Sequence, residues 1–208
     1  MSLFGDAPAE LLYAMPNVGN AVTNTVTTGQ ASGGPLMGGG PTAGVASLIP
    51  PCEIPHNYFT RQGKAIMVEG FGVYSLGATI PTLKMAFYID NIPGTVGTLL
   101  CATGAFTADT TSRAAMGFNF KLLVTCTGVG PSGTLQAWGW LNWGMVPTLT
   151  TTVAAPQITY VIGPATTTPV TFNTAQSAPT YLDVYANWST SSTGPSITLT
   201  QMFMWGLN

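Results

Sequence analysis

From residue 82 to residue 90 the chain reads TLKMAFYID, with Leu83, Met85, Phe87 and Ile89 on one side and Lys84, Ala86, Tyr88 and Asp90 on the other. A period of two is the geometry of a strand with one buried face, and no helix satisfies it. Residues 116–126 repeat the pattern through Met116, Phe118, Phe120, Leu122, Val124 and Cys126. Segments at 65–74, 98–101, 134–146, 157–162, 170–173, 180–190 and 196–207 continue it, which makes eight or nine strands. Clusters of Gly, Pro, Ser and Thr separate them, as turns require. The expected fold is all-β: an antiparallel two-sheet sandwich of jelly-roll type.

Residues 1–50 differ in kind and are expected to form an extended N-terminal arm ahead of the β domain at 51–208. Its stretch GQASGGPLMGGGPTAG has little to bury and much backbone entropy to lose. Near its start, Asp6 and Pro8 fit the first turn of a short helix over residues 7–15, which would place Leu11, Leu12 and Met15 on one face. With Phe4, these side chains would form an anchor that docks on another subunit; a disordered leader is the alternative. The opening residues have no basic stretch before an apolar one, as a secretory signal would, and no run approaches the ~18 apolar residues of a membrane-spanning helix. The expected partners therefore include no membrane.

Several strands are apolar on both faces. In residues 134–146, Leu135, Ala137, Leu141 and Trp143 oppose Trp138 and Trp140; near the C-terminus, Met202 and Met204 oppose Phe203 and Trp205. A two-sheet sandwich buries one face of each sheet, so Trp138, Trp140, Met202 and Met204 are candidates for a surface covered by a neighbour. Charge depletion supports this. Charged residues make up 6% of the chain, against about 25% in ordinary domains, and so neutral a surface favours association. A homo-oligomer, a trimer in the first instance, is expected. The net charge of −2 leaves no basic field for a phosphate backbone, so no nucleic-acid partner is expected.

Catalytic groups are sparse. The single histidine, His56, lies four residues after Cys52, but no second ligand pair accompanies them. The seven acids show no paired spacing; Asp183 sits on a strand beside Tyr181 and Tyr185, where a carbohydrate or catalytic cleft could form. Cys52, Cys101 and Cys126 are odd in number and sit in apolar or small-residue surroundings, as buried free thiols do. No enzymatic activity, cofactor or metal is expected.

Two segments carry a resemblance: IPHNYFTRQGK at 54–64, leading into a strand, and the closing YLDVYANWSTSSTGPSITLTQMFMWGLN from Tyr181. They resemble β-rich virion proteins of tailed bacteriophages, described as head decoration, minor capsid or head-fibre proteins, over roughly residues 50–208. The resemblance implies a jelly-roll module, commonly trimeric, that is made in the host cytoplasm and sits on the capsid surface. There it would contact the major capsid protein and stabilise the shell. The alternative is a head fibre or a receptor- or carbohydrate-binding module on the virion. Aromatics at strand ends would favour sugar binding, and aromatics across the middle of a face would favour a subunit interface.

Overall fold

The computed structural model describes residues 9–16, 18, 22–23, 33–35, 52–78, 81–91, 97–107, 112–145, 157–164, 166–175, 177–189 and 195–207. Among them it forms fourteen strands and no helix: β1 (Glu10–Ala14), β2 (Val22–Thr23), β3 (Gly33–Pro35), β4 (Glu53–Ile54), β5 (Ala65–Leu76), β6 (Thr82–Asp90), β7 (Thr98–Thr103), β8 (Phe106–Thr107), β9 (Arg113–Gly128), β10 (Thr134–Met145), β11 (Ile158–Pro164), β12 (Val170–Thr171), β13 (Thr180–Trp188) and β14 (Ser196–Leu207). The protein is all-β, and every strand pair is antiparallel.

The long strands nest: β5 pairs with β14, β6 with β13, β7 with β11 and β9 with β10. This is the pairing of one long hairpin rolled on itself. The full order is β1-β14-β5-β9-β10-β11-β7-β6-β13-β3. β11 runs beside β10 from Ile158 to Ile162 and meets β7 through Ile162–Pro164, so it joins two layers. The layers face each other across the core, where Phe87 of β6 meets Phe120 of β9 edge-on at 5.1 Å. Phe106 of β8 likewise meets Trp143 of β10 at 5.3 Å.

Alternation sets which side chains enter. Leu83, Met85, Phe87 and Ile89 are wholly buried, as are Leu122, Val124, Leu135, Ala137 and Leu141. Gly70 of β5 lies opposite Phe120, and a Cβ there would strike that ring and approach Leu199 Cδ1 to 3.2 Å. Gly70→Ala should therefore cost about 1–3 kcal/mol by overpacking. Denaturant unfolding that showed the variant as stable as the parent would refute this close approach. Near the C-terminal end of β10, Gly144 takes φ +81° where the register slips between Trp143 and Met145, a bulge just beyond Trp143, which alternation with Leu141 already turns into the core.

The arm is where the structure departs most from expectation. In place of the helix expected over 7–15, Glu10–Ala14 form a strand: β1 pairs with β14, and Met15 N–H donates to the Met202 carbonyl at 2.8 Å. A short helix is marginal in water, whereas the edge of β14 offers a row of unpaired backbone groups. Leu12, Tyr13 and Met15 pack against the core, while Leu11 faces out. β3 pairs with β13 through Gly33–Pro35. Phe4 lies outside the described residues.

Candidate functional site

The two layers differ on their outer faces. On β13, Asp183 is fully enclosed and Tyr185 is buried against Tyr88, so the aromatic-flanked acid does not open onto a cleft. The layer β1-β14-β5-β9-β10-β11 instead leaves its outer face open. Six of the nine exposed large apolar side chains among the described residues lie there (Leu11, Phe71, Leu123, Trp138, Trp140 and Val161), which makes a patch rather than a scatter.

Register arranges this face in cross-strand rows, because residues directly opposite share a side of the sheet. One row is apolar: Trp138 opposes Leu123, Leu123 opposes Met67, Met67 opposes Trp205, and Trp205 opposes Leu11. The next is mixed. Val161, Trp140, Lys121, Glu69 and Phe203 follow one another, and Lys121 Nζ reaches Glu69 Oε1 at 2.6 Å while lying 5.9 Å from the Trp140 ring centre. The third row is polar, with Thr159, Asn142 and Asn119 leading to Phe71. In it the Asn142 amide donates to Asn119 Oδ1 at 2.8 Å, and the Thr159 hydroxyl donates to Asn142 Oδ1 at 2.8 Å. This ladder fixes the amide orientations and leaves the Asn119 Nδ2 hydrogens to donate outward.

Two depressions lie along β10. A small one of about 140 Å³ is walled by Glu69, Phe71, Asn119, Lys121, Trp140 and Asn142. A wider one of about 470 Å³ is bordered by Trp138, Pro164, Thr166 and Thr167. Trp138 and Trp140 keep 51% and 46% of their surface in water. Such half-exposed indoles can stack on a flat ligand while the neighbouring amides, Lys121 and Glu69 exchange hydrogen bonds with it.

Of the side chains singled out by sequence, Trp138, Trp140 and Leu11 stand on this face, and Leu12 and Met15 pack at its edge against the core. Met202 and Met204 do not belong to any exposed surface. Both are wholly buried within the chain, because Met204 faces inward opposite Val68, and their neighbours Phe203 and Trp205 point out instead. The Asn119, Asn142 and Thr159 ladder and the Lys121 to Glu69 pair had no sequence signal, since they come from separated strands.

Elsewhere Cys52 is enclosed while His56 stands exposed on a turn. Among the described residues no cluster of three or more His, Cys, Asp or Glu is placed to hold a metal. All three cysteines are buried and free. Burial pushes the Cys52 thiol well above its ordinary value near 9, with the charge of Asp183 adding to it, and burial alone raises Cys101. Burial, then Asp183, pushes Tyr185 up to about 12. In each case the folded pKa exceeds the unfolded one, so the stabilisation is complete below about pH 8.5 and is lost as pH climbs through the thiol range. Denaturation midpoints should thus be flat through neutrality and fall steadily above about pH 9; a midpoint unchanged to strongly alkaline pH would contradict the burial of these groups.

No family model matches the chain. No curated protein matches it either. Among solved structures it is similar to the CBM2 module of Lactobacillus casei BL23 phage J-1 evolved Dit, at 9% identity over 94% of this chain and 96% of that chain, with a TM-score of 0.35.

Proposed function

We propose that this chain is a non-enzymatic surface module of a phage virion that binds carbohydrate on the outer face of β9 and β10. The observation that carries the reading is the joining of half-exposed Trp138 and Trp140 to an oriented amide ladder and a self-neutralised Lys121 to Glu69 pair. Indole faces cover the apolar side of a sugar ring, and the amides satisfy its hydroxyls, so a saccharide leaves neither partner with unpaired polar groups. A tightly packed protein interface would have to desolvate the ion pair at the centre of the face, which costs more than it returns unless the partner is matched to it. The virion setting rests on the resemblance of residues 54–64 and 181–208.

The purified chain should bind one or more glycans on an array, and Trp140→Ala should lose at least about tenfold in affinity, as truncation of a central aromatic anchor does. An array with no glycan bound would reject the reading.

A second reading has its own support. The row from Leu11 through Trp205, Met67 and Leu123 to Trp138 is wholly apolar and runs unbroken across five strands, as an interface between subunits would. On this reading the chain is a capsid decoration or cement protein, a homotrimer that covers the row with its own copies or with the major capsid protein. Light scattering decides the trimer: a stable monomer at micromolar concentration rejects it.

A further inference from the structure

The geometry points to an extended, uncharged polysaccharide lying along β10, with its rings in successive contact with the wider depression, Trp138, Trp140 and the amide ladder; this rests on the carbohydrate reading above. Three observations set the direction and the class. First, Trp138, Trp140 and Asn142 are alternate residues on one face of one strand, so consecutive contacts fall about 7 Å apart and the run from Trp138 to Asn142 spans about 14 Å, room for about three rings in sequence.

Second, the two depressions lie at opposite ends of this run. Pro164, Thr166 and Thr167 border the one at Trp138 on the β11 side of the strand, and Glu69, Phe71, Asn119 and Lys121 wall the one at Trp140 and Asn142 on the β9 side. A ligand crossing the strands at right angles would meet one depression; a ligand along β10 meets both. Third, the charges on the three rows cancel, because Lys121 and Glu69 neutralise each other at 2.6 Å. A uronic-acid or phosphate-bearing polymer would find no free cation here, so the charge complement is a neutral chain. Hydroxyls or acetamido groups match the Asn119 and Asn142 donors and acceptors.

The test is titration calorimetry of the full chain with two neutral β-1,4-linked series, glucose and N-acetylglucosamine oligomers, from dimer to hexamer. Affinity should climb from dimer to about the tetramer and then level off, as the run along β10 fills. Trp138→Ala should leave the dimer bound and remove the gain with length, whereas Trp140→Ala should weaken every oligomer about tenfold. Both indoles are half exposed, so neither variant should unfold, and circular dichroism of each checks this. Equal affinity for dimer and hexamer, or an unchanged length dependence in Trp138→Ala, overturns the orientation while leaving sugar binding in place. Binding confined to acidic oligosaccharides of matched length, tested alongside, overturns the neutral class. No binding by any oligomer overturns this inference alone when the glycan array still shows a bound glycan, and overturns the carbohydrate reading with it when the array is also blank.

Discussion

Trp143→Ala should lower the unfolding free energy by about 3–5 kcal/mol, the range for deleting a large aromatic from a packed core. Trp143 is 1% exposed and is the hub where rings from four strands and both layers meet. Its ring stacks on Tyr74 at 3.8 Å with planes 16° apart, lies 5.5 Å from Phe118, and takes the edge of Phe106 at 5.3 Å. Phe106 in turn stacks on Tyr160 of β11, so removing the indole undercuts the strand that joins the layers. The surrounding rings are held by separate strands and cannot collapse into the space. Equilibrium denaturation of the variant checks the figure, and a loss under about 1 kcal/mol would mean that this site relaxes freely.

Removing residues 1–16 should cost about 3 kcal/mol and make the protein prone to aggregate. Leu12, Tyr13 and Met15 pack against the core. A fully buried side chain of this size contributes roughly 1.5–3 kcal/mol, and about half of that is reasonable for each of these partly buried ones. The deletion also strips β14 of its partner from Phe203 to Gly206, which bares the backbone of a long edge strand beside Phe203 and Trp205. The arm composition suggests a tether that the β domain can do without; the pairing of β1 makes its near end part of the sheet. A truncated chain that melted like the parent and stayed monodisperse would restore the tether view.

The alternation of residues 82–90, 116–126 and 134–146 was enough to place Leu83, Phe87, Phe120, Leu135 and Trp143 inside and Trp138 and Trp140 outside, because burial and pattern share one period. Where the two faces are equally apolar, as at 202–205, the pattern is silent. Met202 and Met204 could not be told from Phe203 and Trp205 until the register with β5 set Met204 against Val68 and Trp205 against Met67. β3 left no trace because Gly33 and Gly34 pair through the backbone, and β1 was hidden by a plausible helix cap before it. The exposed indoles were thus legible, whereas the amide ladder that gives them a chemistry was not. Asn119, Asn142 and Thr159 become neighbours only when β9, β10 and β11 align.

The central claim is that the open face of β9 and β10 is a sugar-binding surface. Affinity electrophoresis tests it directly, by running the native chain and the double variant Trp138→Ala/Trp140→Ala through gels cast with soluble neutral polysaccharides, hydroxyethylcellulose, glucomannan and glycol chitin. The parent chain should be retarded in at least one gel, and the double variant should migrate there as it does in a gel without polysaccharide. A parent chain that runs unretarded in every gel, or a double variant retarded as strongly as the parent, would contradict the claim.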